Sequence, residues 1–307
     1  MEKNSFDICI IGAGAAGLTA AIYAARKNLK AIVLEKGSAG GQTANSICME
    51  NYPGFGKVKG KELMQLMRAQ AESFGVQIKE ATHVQEIKKT ASGFETKTDN
   101  ETIQSKAIIL ATGTKYKMLN VPGERELYGK GVSYCATCDG PFFRKQRVAV
   151  VGGGNSGVTI AQYFDEIAAE TFLIEFLPQL NCDEIYKEQL KKTKIKTITN
   201  TEVKEILGKE NVTGIRIKNR ASGKEETLSV DGVFIYVGLS PQNELAKSFG
   251  MKLNEKGYIV VNENCETSVP GVFAAGDIIG NLAQTVVAAG QGAIAGVNAY
   301  NFVKNIK

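Results

Sequence analysis

The sequence predicts an α/β chain built from two parallel-sheet units, the second inserted into the first, on the strength of three observations. A strand–glycine turn–helix–strand pattern occurs twice, over 6–34 and over 147–174. Each copy ends in an acid at the same offset from its first glycine, 23 residues in both cases (35 minus 12, 175 minus 152). The tail beyond about residue 245 carries no third glycine turn, so it is expected to return and complete the first unit.

Taken in order, Phe6-Asp7-Ile8-Cys9-Ile10-Ile11 is an almost continuous apolar run of strand length, the pattern of a strand covered on both faces of a parallel sheet. The turn from Gly12 through Gly14, Ala15 and Ala16 to Gly17 follows. Its missing side chains allow a tight bend, close backbone approach to a pyrophosphate and close helix–strand packing. An Ala-rich helix over 18–27 then offers backbone N–H groups and a dipole to an anion. The strand over 31–34 ends in Glu35, placed to bind a ribose diol, with Lys36 beside it. The second copy repeats these parts: a strand over 147–151, the turn Gly152-Gly153-Gly154-Asn155-Ser156-Gly157, a helix over 158–167, a strand over 171–174, and Glu175. A lone glycine turn is a weak signal. Two that close on acids at one offset specify two Rossmann-like dinucleotide-binding domains.

Each domain is expected to end in a strand and a small-residue turn, over 107–113 with Thr112 and Gly113, and over 232–238. After Val272-Phe273-Ala274-Ala275-Gly276-Asp277 comes a Gly/Ala-rich helix from about Thr285 to Val303. The expected division is a discontinuous domain of 1–115 and 245–307, with a second of 116–244 inserted through crossing strands at 115–123 and 240–243.

Between the two fingerprints lies Cys135-Ala136-Thr137-Cys138-Asp139-Gly140. Two sulfurs at this spacing can close a disulfide across a tight turn, and such pairs commonly hold one thiol of depressed pKa. Asp139 is a natural proton donor and acceptor for a step that makes and consumes thiolates. A metal half-site is the alternative, but a zinc site needs four ligands and His83 is the only histidine. Cys9 falls inside the first strand, and Cys48, Cys182 and Cys265 stand alone.

Composition excludes several classes. The net charge of +5 is spread out, and the densest basic segment, 187–196, has lysines at helical spacing without interleaved aromatics, which argues for a solvated face rather than a nucleic-acid surface. No apolar run approaches the roughly 20 residues that span a bilayer. The N-terminus is polar and has no signal-peptide pattern, so the expected location is cytoplasmic, with no membrane and no nucleic-acid partner.

The two fingerprints, the C-A-T-C-D-G string and the 272–277 segment together resemble the low-molecular-weight thioredoxin reductases over essentially the whole chain. The resemblance implies FAD as cofactor and a thioredoxin- or glutaredoxin-like protein as partner. It implies a homodimer and a rotating inserted domain. Cys138 would face the isoalloxazine, Cys135 would attack the partner disulfide, and Asp139 would serve as acid/base. Flavin contacts would fall on Gly12, Gly14, Ala15, Ala16, Gly17, Glu35, Lys36, Gly41, Gln42, Asn51, Val84, Thr112, Gly113, Gly276, Asp277, Gln284 and Thr285. Nicotinamide contacts would fall on Gly152, Gly154, Asn155, Ser156 and Glu175.

Departures from that pattern bear on the nucleotide. Glu175-Phe176-Leu177 stands where the family usually has a His-Arg-Arg string for NADPH, and Ala283 stands where an Arg usually precedes Gln284. A carboxylate about 4 Å from a 2′-phosphate charge would cost at most about 4 kcal/mol at an effective dielectric of 20. Around 154–157 and 173–176 the chain is instead similar to the NADH-using flavoprotein of alkyl hydroperoxide reductase, so NADH is expected over NADPH. That relative's extra thioredoxin-like domain has no residues available here, which sends the electrons to a separate small protein. Phe142, Phe143 and Arg144 are assigned either to partner docking or to the core. Rival readings are a dithiol oxidase that uses oxygen, a ferredoxin-driven reductase, and a flavin-dependent redox sensor.

Overall fold

A computed structural model describes residues 4–306. It begins with β1 (Ser5–Ile11), α1 (Ala15–Ala25), β2 (Ala31–Leu34), α2 (Gly60–Ser73), β3 (Gln77–Lys79), β4 (Val84–Thr90), β5 (Gly93–Thr98) and β6 (Thr102–Leu110). There follow β7 (Thr114–Tyr116), β8 (Val132–Ser133), α3 (Ala136–Asp139), β9 (Arg147–Val151), α4 (Asn155–Ile167), β10 (Glu170–Ile174), α5 (Glu184–Leu190) and β11 (Lys196–Ile198). The chain continues with β12 (Thr201–Gly208), β13 (Val212–Asn219), β14 (Glu225–Leu228), β15 (Gly232–Ile235) and β16 (Leu239–Pro241), and closes with α6 (Glu244–Ser248), β17 (Val272–Ala274) and α7 (Thr285–Asn305).

Two compact units result: 1–115 with 241–307, and 116–240. The return crossing thus lies four residues before the 244/245 boundary expected from sequence (244 minus 240). The crossing strands β7 and β16 pair with each other and are three residues each. The first is shorter than the 115–123 expected, because Asn120 and Gly123 adopt positive φ and the Glu124 carboxylate accepts the Leu119 and Asn120 N–H groups, folding that stretch into a turn.

In the first unit the sheet order is β3-β2-β1-β6-β5-β4, with β17 also on β6. β1 runs parallel to β2 and β6, with Ile8 facing Ala31 on one side and Ala107 on the other. The pleat of β1 sends Ile8 and Ile10 into one core cluster and Cys9 and Ile11 into the other, so both faces are buried, as the continuous apolar run requires. Burial pushes the Cys9 thiol up to about 12, which fits an inert hydrophobe. Helices α1 and α7 pack backbone-close: a Cβ on Gly292 would sit 2.2 Å from the Ala16 carbonyl oxygen.

In the second unit the sheet order is β11-β10-β9-β15-β8, all parallel, beside an antiparallel β12-β13-β14 sheet. Both units therefore share one plan, β3-β2-β1-β6 in the first matching β11-β10-β9-β15 in the second. Both helices begin earlier than expected, at Ala15 and Asn155, because Gly14 and Gly154 in extended conformation act as N-caps within the fingerprints. The 187–196 segment is helical only to Leu190, and its Lys187 and Lys191 pair with Glu184 and Glu188. No helix among the described residues is long and apolar enough to cross a membrane.

Candidate active site

At the carboxyl end of β1, Gly12 takes φ +106°, and a Cβ there would lie 2.2 Å from the Ala111 carbonyl oxygen. Gly17 likewise allows α1 to rest on the Gly12 carbonyl, 1.9 Å from where its Cβ would be. Glu35 closes the turn from below: its Oε2 accepts from Ala13 N at 2.8 Å and its Oε1 from Gly37 N at 2.9 Å. Each oxygen keeps a lone pair for a ribose hydroxyl. Lys36 is exposed beside it.

The remaining expected flavin contacts other than Val84 come from five stretches of the same unit, at 41–42, 51, 112–113, 276–277 and 284–285. Gly41 meets Gly14, with a would-be Cβ 3.2 Å from its Cα. Gly276 meets Ala16, and Asn51 donates to Gln284 Oε1 at 2.9 Å. Thr285 Oγ1 lies 3.0 Å from Thr43 Oγ1 at the start of α7. Thr112 Oγ1 donates to the Gln242 carbonyl at 2.8 Å, and Gly113 turns the chain with φ +64°. Val84 is separate, its side chain buried in the core cluster with Leu34 and Phe94.

Two features of this cradle fit a large bound dinucleotide. Gln42 donates to the Thr114 carbonyl at 3.1 Å, yet its Oε1 is buried with no partner among the described residues. Burial pushes the Asp277 carboxyl up, opposed only by a Thr114 hydroxyl at 3.4 Å. Buried acceptors left this short of donors are costly unless a ligand supplies them.

The second fingerprint repeats the arrangement within its own unit. Gly152 has φ +115° with a would-be Cβ 2.2 Å from the Tyr236 carbonyl oxygen. Glu175 is buried, accepting from Gly153 N through Oε2 and from Leu177 N at 2.8 Å through Oε1. Asn155 is locked to Asp183 by reciprocal bonds of 2.9 and 2.8 Å, while Ser156 is exposed at the helix start next to Gly154. Sequence reading finds no cation near Glu175 before Lys187, but the fold supplies one. Arg220, just beyond β13, lays its guanidinium 3.7 Å over the Phe176 ring and donates to the Phe176 carbonyl at 3.1 Å. At 45 positions' remove (220 minus 175) only tertiary structure could reveal it.

Cys135 and Cys138 form a disulfide with Cα atoms 5.3 Å apart, at the start of α3. Cys138 is exposed and Cys135 half-buried. The Ser133 hydroxyl accepts from Cys135 N at 2.9 Å, and Cys138 N points to Cys135 Sγ at 3.3 Å. Ala136 N donates to the Tyr236 hydroxyl at 3.0 Å. The backbone of Tyr236 is bonded to Val151 at 2.7 Å, so one residue underpins both the glycine turn and the dithiol. Its burial, the main cause, keeps the Tyr236 phenol protonated well above its ordinary range.

Asp139 lines an open groove of ≈ 660 Å³ with Ser133, Phe142, Phe143 and Lys145. The two phenylalanines divide: Phe142 is 77% exposed, whereas Phe143 packs edge-on against Phe234 at 5.3 Å. Arg144 is exposed. No group of three or more metal-ligating side chains occurs among the described residues. His83 just precedes β4 and lies 3.9 Å from Asp99.

Residues 6–292 match the family model described as pyridine nucleotide-disulphide oxidoreductase. The chain is 40% identical to the thioredoxin reductase of Listeria innocua over 314 residues, covering all of this chain and 96% of that protein. It is 36% identical to the F component of the alkyl hydroperoxide reductase of Staphylococcus aureus, covering 98% of this chain and 60% of that protein. The crystal structure of T. acidophilum thioredoxin reductase superposes with a TM-score of 0.95 at 45% identity, covering 97% of this chain and 99% of that one.

Proposed function

The chain belongs to the pyridine nucleotide-disulphide oxidoreductases, and from that premise we propose that it is a thioredoxin-disulfide reductase. With FAD held in the first unit, NADH would supply the two electrons that reduce the Cys135–Cys138 pair, and the pair would pass them on to a thioredoxin- or glutaredoxin-like protein. The observation that carries this reading is a Cys135–Cys138 disulfide held in the same unit as a glycine turn that closes on Glu175, in a chain with a second such turn. FAD, when bound, supplies the capacity to accept a hydride and return it as an electron pair. Gly12, Gly14 and Gly17 would hold its pyrophosphate and Glu35 a ribose, and Gln42 and Asp277 would offer it their undersupplied oxygens.

With the pair reduced, the Cys135 thiolate attacks one sulfur of the partner disulfide and releases the other as a thiolate. Cys138 then attacks Cys135 Sγ in the mixed disulfide, re-forms the Cys135–Cys138 bond and frees the partner dithiol. One NADH and one proton are consumed for each partner S–S broken to two S–H. The Cys138 N–H stabilises charge on Cys135 Sγ, and Asp139 moves the proton. Exposed Phe142 and Arg144 supply docking contacts, while half-buried Phe143 is anchored edge-on against Phe234.

NADH is favoured because the Glu175 carboxylate faces the turn where a 2′-phosphate would lie. Arg220 is the observation on the other side, and comparison of kcat/KM for NADH and NADPH decides between them. We read the enzyme as a cytoplasmic homodimer on the strength of its family. The decisive test is anaerobic titration of the purified yellow protein with NADH, then steady-state turnover with thioredoxin, using wild type, Cys135→Ser and Cys138→Ser. Sustained turnover in wild type and none in either variant supports the reading. Thiol oxidation by oxygen without thioredoxin points to an oxidase, and arrest after one equivalent points to a sensor.

A further inference from the structure

We propose that Phe176, backed by the Arg220 guanidinium, is the surface on which the purine of the pyridine nucleotide stacks. The inference rests on reading the 152–175 fingerprint as the nicotinamide nucleotide site. In a fold of this kind the acid after the second strand takes the ribose, so the base lies over the residues that follow that acid. Phe176 is the first of them.

The ring is held as a fixed platform. Glu175 N donates to Ile198 O at 2.9 Å, and Thr201 N donates to Glu175 O at 3.0 Å. Asn200 N donates to Leu177 O at 2.7 Å, and Leu177 N is taken by the Glu175 side chain. Arg220 completes the frame: its own N donates to Asn200 O at 2.8 Å, and Nη1 holds the Phe176 carbonyl at 3.1 Å. The guanidinium then lies over the ring at 3.7 Å. It has no carboxylate partner among the described residues, so its charge is directed at the ring rather than spent in an ion pair.

Despite this anchoring Phe176 remains 49% exposed. Immobilising an aromatic ring half in water gains little for folding, whereas it removes the ordering cost that a stacking ligand would otherwise bear. With the exposed Arg220 guanidinium covering one face of the ring, a purine stacked on the other would complete a cation–ring–base sandwich.

The test uses the full-length flavin-loaded protein and three truncated ligands, ADP-ribose, its 2′-phosphate and NMNH. ADP-ribose carries the purine without the nicotinamide, and NMNH carries the nicotinamide without the purine. Calorimetric Kd values are compared for wild type, Phe176→Ala, Phe176→Trp and Arg220→Ala. Phe176→Ala is expected to weaken ADP-ribose by about tenfold or more while NMNH affinity shifts far less, and Phe176→Trp is expected to restore ADP-ribose binding. Arg220→Ala is expected to weaken ADP-ribose severalfold. Equal losses for ADP-ribose and NMNH, or ADP-ribose binding by Phe176→Ala that matches wild type, overturn the platform and leave the reductase reading standing. A loss in Arg220→Ala confined to 2′-phospho-ADP-ribose makes Arg220 a phosphate ligand and overturns it too. Wild type that binds no ADP-ribose sinks the platform and the nicotinamide-site reading together.

Discussion

Gly12 and Asp277 carry, residue by residue, the proposal that the first unit holds a flavin. At Gly12, φ +106° and a would-be Cβ 2.2 Å from backbone oxygen leave no room for even a methyl group. Gly12→Ala must shift the Ala111 carbonyl or the turn, at about 1–3 kcal/mol of strain. The expected product is a pale protein with lowered Tm, read from the flavin absorbance of the purified chain; full yellow occupancy would contradict the assignment. Asp277 carries a testable sign. Burial raises its folded-state pKa, so between 3.8 and that raised value the folded chain binds a proton the unfolded chain has lost. Its contribution to stability therefore falls as pH rises through the folded value, and at neutral pH the flavin-free protein carries a partly desolvated charge there. Asp277→Asn should raise the Tm of flavin-free protein at pH 7, with the gain shrinking as pH approaches 3.8. A gain that is the same at every pH would show that charge is not the cause. The same substitution should weaken FAD retention, since it removes a charged acceptor from the cradle.

Elements that a ligand or a parallel sheet dictates are the ones legible in the chain. β1, β2, β9 and β10 stand within a residue of expectation because strands covered on both faces read as near-continuous apolar runs, ended by glycine after β1 and β9 and by an acid after β2 and β10. The antiparallel β4-β5 and β12-β13-β14 segments are not legible, since they mix charged residues such as Lys88, Lys89 and Arg216 with short apolar stretches. For the same reason the Arg220 contact is invisible in the sequence: it depends on where the meander ends, not on any local pattern. The dithiol element is legible in its cysteines but not in its support. Ala136 is buried, and the acceptor of its N–H, Tyr236, comes from 100 positions away. Tyr236→Phe keeps the edge-on ring contact with Tyr116 at 5.5 Å and removes only that acceptor. An orphaned buried N–H costs about 1–3 kcal/mol. The expected result is a lower Tm and faster amide exchange at Ala136. Unchanged exchange at that amide would mean the bond does not form in solution.

Across the whole molecule, the inserted unit is continuous in sequence and the host unit is not, and this asymmetry determines which piece can fold alone. Every member of the second unit's core cluster, from Leu127 to Ile235, lies within 116–240, as do Phe143, Phe164 and Phe234, which pack on one another. In the first unit, both clusters mix residues of 6–111 with residues of 246–303. The close backbone packing of Gly292 and Gly296 of α7 against Ala16 and Ala20 of α1 joins the two ends of the chain. A fragment of 116–240 should therefore unfold cooperatively and keep its Cys135–Cys138 disulfide, as a domain with its own core does. A fragment of 1–115 lacks α7 and β17, exposes the apolar faces they cover, and should show no cooperative transition until 241–307 is joined to it by a short linker. Circular dichroism melts of the three fragments check this directly. A cooperative melt from 1–115 alone would mean that the returning segment covers the host unit without being needed to form it.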